Sequence, residues 1–216
     1  MTTPPTTPAT DRMPPLSLET MDPDQRAAAE ELIAGPRKAV RGPFIPLMRS
    51  PELLTRIQKV GEVLRFHSVL PARLTELATL VVARTWTQQF EWTVHVPLAL
   101  QAGVSPQTVE ALRHGRRPPA PPDDERRVVD LVHELLTHHD LSDATYDDAV
   151  TAFGERGIVE LVSLVGYFTM LSMILNVAHT PPDTADVPLL PALPAQAGGE
   201  DSNLTDYESS GDDDAE

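Results

Sequence analysis

Residues 70–105 read LPARLTELATLVVARTWTQQFEWTVHVPLALQAGVS. From Leu74 to Trp86 apolar positions run almost unbroken, with a single carboxylate, Glu76, set among them. Burying an unpaired carboxylate is costly, so Glu76 must face a cavity, find a partner or take up a proton. About a dozen residues further on, Gln88, Glu91 and His95 follow one another at spacings of three and then four. On a helix that spacing puts all three side chains on one face, and lets Glu91 and His95 pair directly. Pro97 cannot donate to the carbonyl of Thr93, so the helix is expected to bend or open beside the imidazole. The same Glu–His spacing also describes an ordinary surface pair, worth roughly 0.2–0.5 kcal/mol.

Working outward, the chain is helical and repeatedly capped. Asp22 stands before Pro23 at a first helical position, and AAAEELIA follows until Gly35-Pro36 stops it. The segment RGPFIPLMR (41–49) reads as extended, lying across the surface or a neighbouring subunit. Ser50-Pro51-Glu52 opens a helix whose apolar residues recur at three-and-four spacing through Leu64. Ser105-Pro106 opens a short one. After the loop GRRPPAPPDD, acidic residues 123–125 sit favourably at the start of RRVVDLVHELLTHH. Ser142 caps DATYDDAVTAF, and Gly154–Gly157 is expected to separate it from a long apolar helix, Ile158 to Ala178. No stretch alternates with period two, so the expected fold is all-α.

That last helix is long and apolar enough to raise the question of a membrane span. Ser163, Gly166, Thr169, Ser172 and Asn176 form one small polar stripe along it, however, and no Lys or Arg cluster flanks it. A bundle core or a subunit interface fits better, and no membrane association is expected.

The ends differ in composition. Nine of the 22 prolines fall within residues 1–46 and five within 181–194. Of the formal charge of −15, all but about a third lies from Asp183 onward, where ten acidic residues meet no Lys or Arg. The expected organisation is a disordered N-terminal segment (1–20), a helical domain (21–180) and a disordered acidic, Pro-rich tail (181–216). Met1 to Pro15 has the look of neither a secretory signal nor a mitochondrial presequence, and a cytoplasmic location is expected. An acidic chain is a poor polyanion binder, so nucleic acid is not an expected partner.

Cysteine is absent. That excludes a disulfide framework, a thiolate metal site, a thiol nucleophile and dithiol redox chemistry in this chain. Metal signatures also fall short. A carboxylate-bridged di-iron pair wants Glu and His three apart, and Glu91 and His95 are four apart. In His133-Glu134-Leu135-Leu136-Thr137-His138 the position a zinc-protease helix needs for its second His is Thr137. Neither a metal nor another cofactor is expected.

Residues 70–105, together with RGPFIPLMRSPEL and LRFHSVLP before them and FGERGIVELVSLVGYFTMLSMILN after them, resemble the carboxymuconolactone decarboxylase-like family, of the broader alkylhydroperoxidase D-like fold. The resemblance spans about residues 41–180. In the redox branch of that family a Glu, two Cys three apart and a His form a proton relay. Glu76 matches the Glu, His95 matches the His, and Gln88 and Glu91 stand where the two sulfurs would be. In the decarboxylase branch the second of those positions is a Glu with a His four later, as here. That branch usually has a basic residue near the first position, where this chain has the neutral Gln88.

The resemblance implies an alkylhydroperoxidase D-like helical bundle, assembled as a homo-oligomer, a trimer or hexamer. The chemistry of Glu and His implies proton transfer next to a carbonyl: decarboxylation, isomerisation or elimination of a small carboxylate, lactone or carbonyl compound. The expected roles are proton shuttling by His95, orientation of His95 by Glu91, a second acid/base in Glu76, and a hold on a substrate oxygen by Gln88. Phe66, His67, Phe90 and Trp92 are expected to wall the site, with His179 reaching it or capping a helix. A non-catalytic oligomer that binds a ligand or protein is the rival. A pocket plugged by side chains, with His95 facing solvent, would favour that rival.

Overall fold

The computed structural model describes residues 10–17, 19–184 and 186–193. Among them are eight helices and no strand: α1 (Pro23–Ala34), α2 (Phe44–Leu47), α3 (Pro51–Phe66), α4 (Ala72–Thr85), α5 (Gln89–Ala102), α6 (Pro106–Arg113), α7 (Asp123–His138) and α8 (Asp143–Ala178). The starts follow local chemistry. Asp22 and Gln25 form a reciprocal capping box on α1, and the hydroxyls of Ser105 and Ser142 accept from the third residue of α6 and α8.

The apolar run around Glu76 becomes the central helix. α4 is buried on nearly every side from Leu74 to Arg84 and packs against α5, α7 and α8. The α4–α5 pairing sets Glu76 opposite His95. α7 closes the far side of α4, and α3 lies against both α1 and α8. Half of the apolar stretch of α8 is buried in this core, through Leu161, Leu164, Val165, Phe168, Leu171 and Leu175. Its length and composition alone would allow it to cross a membrane.

Two expectations need correction. Residues 44–47 are not extended: Phe44, Leu47 and Met48 are buried against the core, and the turn of helix between two prolines carries them inward. The break in α8 falls at Gly154 alone (φ 68°, ψ 167°), and Gly157 is helical and buried. A left-handed φ is what a glycine tolerates and other residues resist. Pro97 lies inside α5, which continues past it to Ala102.

Part of the stretch expected to be a disordered tail is docked. Residues 186–193 run as a strap along α5 and α6. Leu190 is buried, and its backbone exchanges two 2.9 Å hydrogen bonds with the Gln89 side chain. The Trp92 indole donates to Pro188 O at 3.1 Å, Arg113 to Leu189 O and Arg84 to Pro191 O. Proline-rich sequence needs few backbone partners of its own, and here side chains supply them. At the other end, the Arg12 amide donates to Ala178 O at 2.7 Å, so part of the stretch read as disordered is docked. The disorder expected for 1–9 and 194–216 falls outside the described residues.

Candidate functional site

The three residues singled out in the sequence converge. His95 is 2% exposed and stands between two carboxylates. On one side its Nδ1 is hydrogen bonded to Glu76 Oε2 at 2.5 Å, from the facing helix α4. On the other, its Nε2 lies 3.3 Å from Glu91 Oε2, one turn back along α5. Arg65, near the end of α3, approaches the second Glu76 oxygen at 3.9 Å. Phe168 of α8 fixes the imidazole edge-on, with ring centroids 5.0 Å apart.

These contacts set the protonation. Burial works against charge on both partners, but each offsets that cost for the other. Burial pushes Glu76 up, and the His95 charge and hydrogen bond together with Arg65 bring it below the usual carboxylate range. Burial pushes His95 down, and Glu76, then the bond to Glu91, overcome this and raise it above the ordinary imidazole value. Both shifts favour the same charge-paired form, an imidazolium beside the Glu76 carboxylate. The Oε1 of Glu91 is buried and has no hydrogen-bond partner.

Glu91 and His95 both line a cavity of about 430 Å³ between α5, α8 and the segment before α3. The cavity is open, so a plugged pocket with a solvent-facing His95 is not what the fold builds. Phe44, Phe90 and Phe168 give it apolar walls, and Phe66 stands at its rim. Glu76 lies behind His95 and is not part of the lining, so its contact with any occupant runs through the imidazole.

The remaining sequence candidates lie elsewhere. Gln88 is the N-cap of α5: its Oε1 accepts from the amides of Phe90 and Glu91, and its Nε2 donates to Asn176 Oδ1 at 3.1 Å. Both ends of the amide are engaged, so the expected hold on a substrate oxygen is corrected to a hold on the helix that carries Glu91. Trp92 points the other way along α5 and is buried under the strap. His179 is the left-handed C-cap of α8 and His67 the C-cap of α3, and neither lines the cavity. His133 and His138 are exposed on α7. Among the described residues no group of three His, Asp or Glu is arranged to hold a metal ion.

What sequence reading missed is basic and aromatic. Arg37, Arg41 and Arg65 line the cavity, as does Tyr167, whose hydroxyl accepts from Arg37 Nη2 at 3.3 Å. A basic residue is missing at the position of Gln88, yet three arginines arrive from other elements. One signal was available. Gly61 sits inside α3, where glycine is unfavourable, and a Cβ there would come within 2.1 Å of the Tyr167 hydroxyl oxygen and 2.5 Å of Arg37 Nη2. A glycine in mid-helix marked the place where two side chains of the cavity pass.

Residues 51–134 match the carboxymuconolactone decarboxylase family. The solved structures similar to this one include two described as uncharacterized peroxidase-related proteins. One, from Ralstonia eutropha JMP134 and described as an alkylhydroperoxidase AhpD core, aligns with a TM-score of 0.65 at 14% identity, covering 80% of this chain and 92% of its own. The other, from Silicibacter sp. TM1040, aligns with a TM-score of 0.66 at 17% identity, covering 84% of this chain and 95% of its own. At such identities the likeness establishes the fold. No curated protein sequence matches the chain.

Proposed function

We propose, from the match of residues 51–134 to the carboxymuconolactone decarboxylase family and from the alkylhydroperoxidase D-like fold, that the protein is a lyase or isomerase that moves a proton on a carbon next to a carbonyl, without a cofactor. The observation that carries this reading is the pairing of a buried imidazole, itself bound to Glu76, with a second carboxylate, Glu91, a residue of the cavity wall. Enolate-forming reactions need a base beside the carbon and a charged donor beside the oxygen. Glu91 is the base and takes the proton from carbon. His95, kept protonated by Glu76, donates from Nε2 to the oxygen on which charge develops. Glu76 acts through His95 and is a positioning residue. This assignment exchanges the roles of the two glutamates expected from sequence, because Glu76, not Glu91, makes the short bond to the ring.

The names of the fold neighbours point to peroxide chemistry, and this chain has no cysteine with which to perform it by a dithiol. A homo-oligomer, a trimer or hexamer, is part of the same proposal. Val159, Val162, Met173 and Val177 leave an uncharged apolar stripe exposed along α8, which suits a second copy. Light scattering after size exclusion tests that part. For the activity, wild type, His95→Ala and Glu91→Gln are compared on β-keto acids, lactones and hydroxy acids. Turnover of one class by wild type and loss of it in both variants is the expected result. Equal rates for all three proteins would remove the proposed roles.

A further inference from the structure

The three arginines of the cavity are matched unevenly. Arg41 is ion-paired with Asp183 at the rim, and the Asp183 amide is fixed in turn by Thr93 Oγ1 at 3.3 Å. Arg65 leans on Glu76 and lies over the Phe66 ring. Arg37 also lies over a ring but has no such carboxylate. Its guanidinium lies 4.5 Å over the Phe44 ring and donates to the neutral phenol of Tyr167, while its Nε is buried without a hydrogen-bond partner. No carboxylate among the described residues comes within ion-pair reach of it.

Burial lowers Arg37 from the ordinary arginine value and raises Tyr167 from the ordinary phenol value, as expected of a cation without a close counter-charge and of a neutral hydroxyl beside it. A half-buried charge lacking its partner gives up part of its hydration without return, and a planar guanidinium fork is suited to a carboxylate. The fold nonetheless makes room for this pair at Gly61, where any side chain would displace both groups.

We infer that Arg37 and Tyr167 anchor one carboxylate in the cavity, and that the substrate is a monocarboxylic acid. Its carboxylate replaces the missing partner of Arg37, and the Tyr167 hydroxyl donates to it. Asp183 makes the number one rather than two, because its own carboxylate already occupies Arg41. Glu91, on the cavity wall, opposes a second negative charge near the reacting carbon. Arg37 precedes the family-matched segment and Tyr167 follows it, so the anchor is built from outside residues 51–134. The inference rests on the proton-transfer reading only in saying that the anchored molecule is a substrate.

Calorimetric binding to the full chain tests the anchor without requiring turnover. The probes are benzoate and levulinate, their methyl esters, and the dicarboxylates glutarate and phthalate. A charge-assisted pair is worth roughly 1.5–3 kcal/mol, so the monocarboxylates should bind at least about tenfold more tightly than their esters. Arg37→Met should lose that preference, Arg37→Lys should keep part of it, and Tyr167→Phe should weaken the acids by a smaller factor. Asp183→Asn should strengthen glutarate and phthalate relative to benzoate and levulinate.

Esters binding as tightly as acids, unaltered acid binding in Arg37→Met, or no binding of any acid would overturn the anchor. An unchanged ratio of dicarboxylate to monocarboxylate binding in Asp183→Asn would overturn the restriction to one charge. Should Arg37→Met fail to fold, the acid–ester comparison on wild type and on Tyr167→Phe decides. Arg37-dependent binding in a protein that turns nothing over would leave the anchor standing and remove the acid–base reading instead.

Discussion

Two Glu–His pairs with identical spacing lie on neighbouring helices, and they have nothing else in common. Glu110 and His114, at the end of α6, sit 2.8 Å apart with side chains 56% and 40% exposed. Glu91 and His95 are farther apart at 3.3 Å, yet both are almost wholly buried. The exposed pair has the better distance and the lesser consequence, because water screens it and already solvates both groups. The buried pair is embedded with a second carboxylate, an edge-on phenylalanine and a cavity. Burial and the third partner, rather than the pair itself, turn a helix decoration into a candidate site.

The comparison breaks most visibly at the imidazoles. His95→Ala should reduce activity on whichever substrate the wild type turns over by about 10²–10⁴, the range typical of a lost general acid or base. It should also cost roughly 3–5 kcal/mol of stability, since Glu76 is left as a buried charge without its close partner. His114→Ala should alter neither kcat/KM nor the denaturant midpoint. Similar losses in the two variants, measured by turnover and urea unfolding, would erase the distinction.

The third partner is tested next. Glu76→Gln removes the charge that raises His95 most, leaving only the bond to Glu91 to oppose burial and Arg65, which lower it. The alkaline limb of the pH–rate profile should therefore move to lower pH, while the exposed pair's counterpart, Glu110→Gln, leaves the limb in place. Retention of the wild-type limb in Glu76→Gln would show that the ring is not tuned from α4.

The pair also sets a pH window for stability. His95 is raised on folding, so its contribution is complete below the unfolded imidazole value and lost as pH rises through the folded one. Glu76 is lowered, so its contribution is present above the unfolded carboxylate value and lost as pH falls through the folded one. Wild-type stability should show a plateau between the carboxylate and imidazole ranges, read as urea midpoints across pH. The plateau should flatten in His95→Gln and persist in His114→Gln.

The smallest expected effect lies on the far wall. Gly61→Ala forces Tyr167 and Arg37 aside and should cost about 1–3 kcal/mol, as overpacking does. It leaves the Glu76–His95 bond in place, so the alkaline limb should stay where it is. A shifted limb would mean that the two sides of the cavity are not separable.

Much of the fold and the site was legible in the sequence, and for identifiable reasons. A carboxylate stranded in an apolar run demands a partner, and His95, on the next helix, is the partner Glu76 finds. Capping residues and prolines gave the helix starts, because those signals act within one turn. Gln88 misled, since its position in the family pattern says where the side chain starts but not that a helix N-terminus will claim it. Trp92 shares its helix with Glu91 but falls on the side covered by the strap, a contact made by residues nearly a hundred positions away. Arg37 and Tyr167 were marked by nothing but Gly61, for the same reason. They meet only because α1, α3 and α8 come together, and nothing in local periodicity encodes that. The strap was misjudged because proline-rich composition reports on backbone hydrogen bonding and is silent about side chains that bind such a segment from outside.

The central claim is that Glu91 and His95 move a proton at carbon. Its most direct measurement is proton NMR in deuterium oxide, following exchange of the hydrogens next to the carbonyl of levulinate in the presence of wild type, His95→Ala and Glu91→Gln. Exchange accelerated by wild type above the buffer rate, and returned to that rate in both variants, is the predicted result. Exchange by wild type no faster than buffer, or equally fast in all three proteins, would contradict it.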